Sequence, residues 1–372
     1  MPITPCRVAD TRNLRQRSPR GPVGIYPSSP ATFKIAGANN TCGIPASGPT
    51  ALSMNVTAVP IEPLTALSIR PIGQAEPPLP LLSATDGLPT ANAVILPFGS
   101  GEMEVSVTNQ SHVVIDVNGY FMPLNTPNGN AFYPLTPCRA LDTMTQGNPL
   151  TGAVTRDVDV RGTCHIPAWA TAVVMDVTVA PQGPLSFLTA WATGQSQPGT
   201  SNINASDGEV KSNMVIAQTG TNGSVSFFPS DATHAVADVV GYFGAPGAPG
   251  SLTFHPMAAC TGVNTQWANG PNGGPALDPY SARDFPIGQS GVCGVPSWAR
   301  AYSLNFIASP TVVLTGLNVR PSGPGNVTSW SLYAPDGQVT ASAGMVAAGT
   351  GGLTVTPYSP THLKVIISGY FD

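Results

Sequence analysis

The chain has 372 residues, of which 42% are hydrophobic and only 9% charged, and its formal net charge at pH 7 is −4. Its 15 lysines and arginines are too few and too scattered to form a basic patch, so we expect no nucleic-acid partner. No apolar run approaches the roughly 18 residues that a membrane-spanning helix needs, so we also expect no membrane span.

Glycine and proline, 40 residues each, separate many short apolar segments along the chain. Segments of alternating or continuous apolar character between turn residues are typical of β-strands. No stretch shows helical periodicity together with capping residues, so we expect very little helix. The composition therefore predicts an all-β protein.

The first recurring element is a charged opening phrase that contains Arg7 and Asp10 just after a cysteine. It recurs around Arg139 and Asp142, whereas the third copy has Thr261 after its cysteine and lacks the phrase. We interpret the phrase as an arginine–aspartate pair with an Asp-Thr turn that fastens the adjacent loop. The alternative is a binding site for a carboxylate or a sugar, which would then exist twice.

The second element is Cys-Gly-Ile-Pro at Cys42, which recurs with small changes at Cys164 and Cys293. A predicted strand follows each copy, at 51–57, 173–178 and 302–307. These phrases keep the same order each time, as a tandem repeat requires.

An Asp-Gly pair lies inside each copy, at Asp86, Asp207 and Asp336. Asp-Gly between apolar runs predicts a two-residue hairpin turn, since both residues tolerate positive φ. Calcium binding is the alternative, but no second carboxylate lies close by in the sequence. We expect no bound metal and no cofactor.

Each copy ends in Gly-Tyr-Phe, with the tyrosine at Tyr120, Tyr242 and Tyr370. From the second cysteine of each copy to this tyrosine the chain advances 78, 78 and 77 residues. Agreement to one residue in three copies establishes the repeat.

The repeat divides the chain into three predicted modules, at 1–123, 124–245 and 246–372, with the third the divergent one. The predicted fold is three tandem antiparallel β-sandwich modules, Ig-like or jelly-roll-like, each with one disulfide. Short joints containing proline and glycine at 124–129 and 244–250 are expected to allow limited bending between modules.

Six cysteines fall two to a module, and the pairing that is the same in every module is one within each. A zinc site would need four ligands, and two cysteines per module without partner histidines do not supply them. Disulfides place the protein in an oxidising compartment. The predicted bonds are Cys6–Cys42, Cys138–Cys164 and Cys260–Cys293.

No catalytic constellation is visible: the five histidines lie in unrelated sequence contexts, and no nucleophile or phosphate-binding motif occurs. Asp116 and Asp238 recur in the strand before Gly-Tyr-Phe, and we align them with Ser368 in the third copy. A position that accepts serine indicates a hydrogen-bonded structural group rather than an acid catalyst. We therefore expect no enzyme.

Tryptophans are candidates for a sugar-binding platform, foremost Trp191 and Trp267. Trp169 and Trp298 occupy matching positions after the Cys-x-x-Pro phrase, which predicts packing under that loop; the first copy has Ser47 there. Glycans are thus a second class of expected partner.

The assembled phrases resemble the repeats of large secreted or surface-exposed bacterial proteins. Those repeats open with Pro-Cys-Arg-Val-x-Asp-Thr-Arg, continue through Cys-Gly-Ile-Pro and Asn-Val-Thr, and close with Asp-Val-x-Gly-Tyr-Phe. The first copy matches that pattern nearly throughout, and the third lacks its opening phrase. The resemblance implies location and architecture, with no reaction attached.

Met1 enters a module directly, without a signal peptide. Either the sequence is a processed form, or the protein leaves the cell by another route, such as in a virion; the cysteines favour the first.

These observations predict an extracellular or cell-surface structural protein. Its expected partner is itself, as the repeating subunit of a filament or surface layer built by head-to-tail contacts. The alternatives are a carbohydrate-binding or adhesion protein and a virion fibre or decoration protein.

Overall fold

The computed structural model of the chain describes residues 1–13, 24–37, 41–77, 79–123, 126–127, 129–323 and 332–372. Over these ranges the chain forms 24 β-strands, three α-helices of four or five residues and two 3₁₀ helices of three residues. The all-β prediction is confirmed.

Eight strands come from each repeat, in matching order. In the first repeat they are β1 (Pro2–Asp10), β2 (Ala31–Lys34), β3 (Ala51–Pro60), β4 (Leu64–Pro71), β5 (Leu82–Ala84), β6 (Thr90–Pro97), β7 (Glu102–Val107) and β8 (Ser111–Phe121). In the second they are β9 (Ala131–Asp142), β10 (Arg156–Asp159), β11 (Ala170–Pro181), β12 (Leu185–Ala192), β13 (Ile203–Ala205), β14 (Lys211–Gln218), β15 (Ser224–Pro229) and β16 (Thr233–Gly244). In the third they are β17 (Phe254–Asn264), β18 (Arg283–Phe285), β19 (Ala301–Pro310), β20 (Leu314–Pro321), β21 (Leu332–Ala334), β22 (Thr340–Ala347), β23 (Leu353–Pro357) and β24 (Thr361–Phe371). The short helices are α1 (Thr143–Gln146), α2 (Val160–Cys164) and α3 (Ile287–Ser290).

Each repeat builds two four-stranded antiparallel sheets, so the chain has six. The inner sheets have the strand orders β1-β8-β3-β6, β14-β11-β16-β9 and β17-β24-β19-β22. The outer sheets have the orders β2-β7-β4-β5, β10-β15-β12-β13 and β18-β23-β20-β21. The chain therefore passes back and forth between the two sheets of a repeat instead of completing one sheet as a meander. An apolar cluster fills the space between the two sheets of each repeat.

The predicted fold class, three tandem β-sandwich modules, is wrong. The six small sheets are organised in the manner of a six-bladed β-propeller, with the blades in three pairs. A fourth apolar cluster excludes a string of modules, because it takes buried side chains from all three repeats. Bending at the joints would open this shared core, so the predicted flexibility between modules fails for the same reason. Residues 124, 125 and 128 of the first joint lie outside the described residues.

The three repeats meet along a line, here called the axis, where β6, β14 and β22 lie against one another. One end of the axis, the aromatic end, is formed by the phenylalanines of the three Gly-Tyr-Phe phrases. The ring centroids of Phe121 and Phe243 are 5.9 Å apart, and those of Phe121 and Phe371 are 6.5 Å apart. Phe132 and Phe254 complete the aromatic cluster, each 5.3 Å or less from one of these rings. The phenylalanine of each Gly-Tyr-Phe phrase thus joins the three repeats.

The middle of the axis is a network of buried asparagines. Asn213 Nδ2 donates to Asn55 Oδ1 at 2.9 Å, and Asn92 Nδ2 donates to Asn305 Oδ1 at 2.8 Å. The Oδ1 atom of Asn213 accepts from the backbone N–H of Ala93 in β6. These bonds satisfy polar groups along strands that have no further strand beside them in their own sheets.

The same pattern recurs on β22, where the backbone N–H of Ala343 donates to Asn92 Oδ1 at 2.9 Å. Ser342 stands at the corresponding position of the third repeat, and the N–H of Met214 donates instead to Asn213 on its own strand. The same hydrogen bond thus links two of the three pairs of neighbouring repeats, and the third pair lacks it.

The Asp-Gly pairs lie at the opposite end of the axis, here called the acidic end. The prediction that they form hairpin turns is wrong. Each turn connects an outer sheet to an inner sheet, as between β5 and β6, so it is a corner and not a hairpin within one sheet. Only the glycine has positive φ, +75° at Gly87. The Asp86 carboxylate accepts the backbone N–H of Leu88 at 3.0 Å, a bond that recurs at Asp207 and Asp336.

The close approach at Gly241 gives a test of the aromatic end. A methyl group at Gly241 would collide with the Phe132 ring, whereas at Gly119 the nearest atom is the Met1 carbonyl oxygen, 3.1 Å away. We expect Gly241→Ala to lower the free energy of unfolding by about 2 kcal/mol through overpacking, and Gly119→Ala to lower it less. Adding Phe132→Ala to Gly241→Ala should remove the clash with the ring and leave only the Tyr133 carbonyl oxygen, 2.8 Å from the added methyl group, so the two losses should be less than additive. Urea denaturation measures all three, and equal losses for the two glycines would contradict the packing.

Candidate functional site

Three disulfides link the strand that opens each repeat to the Cys-x-x-Pro loop. They are Cys6–Cys42, Cys138–Cys164 and Cys260–Cys293, with Cα–Cα distances of 5.6, 5.7 and 5.8 Å. This is the pairing predicted from the repeat, and the distances are ordinary for disulfides. Three such bonds indicate an oxidising environment.

The charged opening phrase forms a hydrogen-bonded cluster beside the first disulfide. Arg7 Nε donates to Asp116 Oδ1 at 2.8 Å and its Nη2 donates to Asp116 Oδ2 at 3.1 Å, a bidentate pair. Arg12 makes a second bidentate pair with Asp10, at 2.9 and 2.8 Å. The second repeat reproduces the first pair with Arg139 and Asp238, the Nε–Oδ1 distance being 2.5 Å.

The pKa values of the aspartates in this cluster are set by burial and by their arginine partners. Burial raises the pKa of Asp116 despite the hydrogen bonds from Arg7, and it raises the pKa of Asp238 in the same way. Burial also opposes ionisation of Asp10, but the hydrogen bonds from Arg12 outweigh it and lower the pKa of Asp10. The cleft next to this cluster is lined by Arg7 and Arg12. Since both guanidiniums are already paired with carboxylates, the geometry favours the fastening role over a carboxylate or sugar site.

Each charged pair lies where its repeat meets the next one. Asp116 accepts the backbone N–H of Ser201 from the second repeat at 3.4 Å, and Asn55 donates to the carbonyl of Ser201 at 2.7 Å. Burial raises the pKa of Tyr333 in the third repeat, and Arg139 and Asp238 are close enough to affect it. The Arg7–Asp116 pair therefore stabilises a contact between repeats as well as the adjacent loop, and the Arg139–Asp238 pair lies near the third repeat.

Strand register corrects one alignment made from the sequence. Arg7 is directly opposite Asp116, and in the third repeat Thr261 is directly opposite Ile366. The aspartate thus corresponds to Ile366, and Ser368 lies two residues further on. The third repeat has lost the arginine and the aspartate together, which leaves neither charge unpaired.

A threonine–histidine contact recurs in all three repeats and was missed in the sequence. Thr11 Oγ1 lies 3.1 Å from His112 Nδ1, and the hydroxyl also accepts the backbone N–H of Val113 at 2.9 Å. The pairs Thr143–His234 and Thr265–His362 repeat the contact at 3.2 and 3.1 Å. The signal was present, since each histidine precedes the tyrosine of Gly-Tyr-Phe by 8 residues.

These threonines do not have the properties of a nucleophile. Thr11, Thr143 and Thr265 are all buried, and each hydroxyl accepts a backbone N–H from the neighbouring strand. A nucleophile needs a free, accessible oxygen next to its base. The contact instead fastens the end of the opening strand to the start of the closing strand in each repeat.

The tyrosines of Gly-Tyr-Phe carry small aromatic stacks in two repeats. Tyr242 stacks on Tyr133 with centroids 5.0 Å apart, and Trp169 lies edge-on to Tyr242 at 5.6 Å. Tyr370 similarly stacks on His255 at 4.9 Å, with Trp298 edge-on at 5.7 Å. In the first repeat Met1 pairs with Tyr120 through backbone hydrogen bonds, and Ser47 replaces the tryptophan. The first and third repeats therefore present different surfaces.

The two tryptophans proposed as a sugar platform have different environments. Trp191 is only 4% exposed, and its Nε1 donates to the carbonyl of Gln195 at 2.9 Å, so it cannot stack on a sugar and that prediction is wrong. Trp267 is 47% exposed and remains a candidate.

The acidic end of the axis brings together carboxylates from all three repeats. Asp86, Asp207 and Asp336 act electrostatically on Lys211, whose Nζ is 2.6 Å from Asp207 Oδ2. Burial lowers the pKa of Lys211, but the three carboxylates outweigh it and raise the pKa overall. Burial and Asp336 raise the pKa of Glu209 nearby. The two ends of the axis thus differ in chemistry, one aromatic and one charged.

Among the described residues no cluster of histidine, cysteine and carboxylate groups has the arrangement of a metal site. None of the helices in the described ranges is long and apolar enough to cross a membrane. Comparison with protein-family models and with curated proteins finds no match to this chain.

The buried pair Arg7–Asp116 gives a matched test drawn from the chain itself. We expect Arg7→Thr to lower the free energy of unfolding by about 3 kcal/mol, because it leaves the Asp116 carboxylate buried without its partner. The double variant Arg7→Thr and Asp116→Ile copies the third repeat and should recover most of that loss. Chemical denaturation of the two variants measures the difference; a double variant as unstable as the single one would show that the charge is not the cause.

Proposed function

We propose that this protein is an extracellular or cell-surface structural protein that assembles head to tail into a filament or surface layer. The observation that carries the proposal is a single body with two chemically different ends on one axis. At the aromatic end Phe243 and Phe371 are buried, and the exposed rings near them are Trp169 and Trp298. The acidic end holds the three Asp-Gly turns. Unlike ends favour heterologous contacts, and such contacts generate open polymers when the rotation does not close.

The surface supports the proposal in a second way. Only 9% of the residues are charged, so long-range repulsion between copies is weak. Several charges that the chain does carry are already paired, since the buried carboxylates of Asp116 and Asp238 bind Arg7 and Arg139. What is left for contact between copies is mostly neutral polar and apolar surface.

The shared core suits a structural role. Three repeats joined by the axial cluster and the asparagine network form one rigid body, and each has a disulfide. The resemblance of the repeat to those of secreted bacterial proteins agrees with an extracellular location. We accordingly propose no catalytic activity.

Electron microscopy of the purified, oxidised protein tests the proposal. We expect filaments or sheets above a critical concentration, with a repeat along the assembly that matches one subunit. Dispersed monomers at every concentration, salt and pH tried would contradict the proposal.

Glycan binding is a second candidate function, favoured by the exposure of Trp267. A glycan array tests it with Trp267→Ala as the variant and Trp298→Ala as a control of similar exposure. Specific binding that only Trp267→Ala abolishes would favour adhesion over assembly.

A further inference from the structure

A cleft of about 510 Å³ lies between the first and second repeats, beside the Arg7–Asp116 pair. One wall comes from the inner sheet of the first repeat, and the other comes largely from residues 197–206 of the second. Ser201 ties the walls together, because its carbonyl accepts from Asn55 and its backbone N–H donates to Asp116. The cleft is therefore preformed, and its volume is in the range typical of small-molecule sites.

Two buried hydroxyl groups line this cleft without a partner. Thr57 is 4% exposed and Thr200 is 6% exposed, and the Oγ1 atom of each has no hydrogen-bond partner among the described residues. A hydroxyl group can both donate and accept, and burying one unsatisfied costs free energy that a ligand hydroxyl would recover. One threonine comes from each repeat, so a ligand bonded to both would bridge the junction.

The second repeat shows how a threonine at the position of Thr57 can be satisfied. There Thr178 is directly opposite Ser212, and their hydroxyl oxygens are 2.7 Å apart. In the first repeat Ala91 is opposite Thr57 and cannot supply this bond. The third repeat has Ile307 at the same position. The fold therefore does not require a hydroxyl group there.

The hydroxyl of Thr200 is not required by the fold either. Leu79 holds the equivalent position in the first repeat, since it precedes Asp86 by seven residues as Thr200 precedes Asp207. Leu79 lies where the first repeat meets the third. That junction thus has Leu79 and Ile307 where the junction of the first and second repeats has two threonines.

An aromatic ring of the second repeat adds an apolar surface to the cleft. Phe187 lines the cleft and stacks on Phe228, with ring centroids 6.0 Å apart. Ala66 and Gly316 hold the equivalent strand positions in the first and third repeats, so neither offers such a ring. The cleft therefore combines an aromatic surface with buried hydroxyl groups.

The charges beside the cleft cancel one another. Arg7 and Arg12 line it, but Arg7 is paired with Asp116 and Arg12 is paired with Asp10. An anionic ligand would have to compete with these two carboxylates, and a cationic ligand would meet the guanidinium groups. The charged pairs thus fasten the junction, and neutral groups are left to bind a neutral ligand.

We propose that this cleft binds a neutral saccharide, whose hydroxyl groups bond Thr57 and Thr200 and whose ring lies against Phe187. A saccharide ring has C–H groups on its faces and hydroxyl groups at its edge, so it matches a site of this composition. The site is separate from Trp267. It also does not depend on the head-to-tail assembly proposed above.

Titration of the oxidised chain with small saccharides tests the site. The neutral probes are maltose, cellobiose, lactose and N,N′-diacetylchitobiose, and the charged probes are glucuronic acid and glucosamine. We expect at least one neutral disaccharide to bind in NMR titrations, and to bind more tightly than either charged probe. Absence of binding by all the neutral disaccharides, or tighter binding of a charged probe, would overturn the proposal.

Isosteric variants test which residues bind the saccharide. We expect Thr57→Val and Thr200→Val each to weaken binding about tenfold, because each removes one hydroxyl group and keeps the side-chain shape. Thr178→Val is the matched control, since the hydroxyl of Thr178 is bonded to Ser212, and it should leave the affinity unchanged. The melting temperature should fall in the control alone, because only Thr178 loses a hydrogen bond within the protein. Undiminished binding in both cleft variants would overturn the site.

Two comparisons separate this site from the functions proposed above. Saccharide binding that Trp267→Ala abolishes and Thr57→Val does not would overturn the cleft in favour of Trp267. Saccharide binding by a protein that forms no filaments would leave the cleft standing and contradict the assembly. Filaments without saccharide binding would overturn the cleft and leave the assembly standing.

Discussion

The structure depends on how the backbone hydrogen-bonding groups of three sheet edges find partners where the edges meet. β6, β14 and β22 are each the last strand of an inner sheet, and an unpaired edge buried against another would leave backbone N–H groups without partners. Asn92 and Asn213 solve this by reaching across to the neighbouring repeat and accepting a backbone N–H with their side-chain oxygens. The axial aromatic cluster can form only because these edges approach one another. The shared core can therefore form because the asparagine side chains accept these hydrogen bonds.

Much of the local structure could be predicted from the sequence. The spacing from Cys42 to Tyr120, repeated twice, identified the repeat, and the repeat selected the cysteine pairing that the structure contains. The alternation of apolar and turn residues predicted strands and little helix, because those signals are local. Asp86 was correctly placed in a turn, but the sequence could not show that the turn leaves one sheet for another.

The arrangement of the repeats could not be predicted. It depends on which residues of the inner sheets pack against the other repeats as well as against the outer sheet of their own repeat. Phe121 at the end of a strand is as compatible with a surface position as with a central one, and only its neighbours from other repeats decide. Trp191 is buried, but a tryptophan near the end of a strand suits either face of a sheet, so the sequence does not distinguish the two positions. The Thr11–His112 contact was overlooked because its two residues lie about a hundred positions apart, although the histidine keeps a constant distance from the tyrosine.

Joining three similar repeats in one chain has a consequence for how copies can be oriented. A subunit made of three identical parts could be placed on its neighbour in three equivalent rotations, and an assembly would mix them. Here Ser47 stands in the first repeat where the second and third repeats carry the exposed Trp169 and Trp298. The body therefore has a distinguishable direction around its axis as well as along it. In an assembly, each copy would therefore be rotated by the same angle relative to the copy before it.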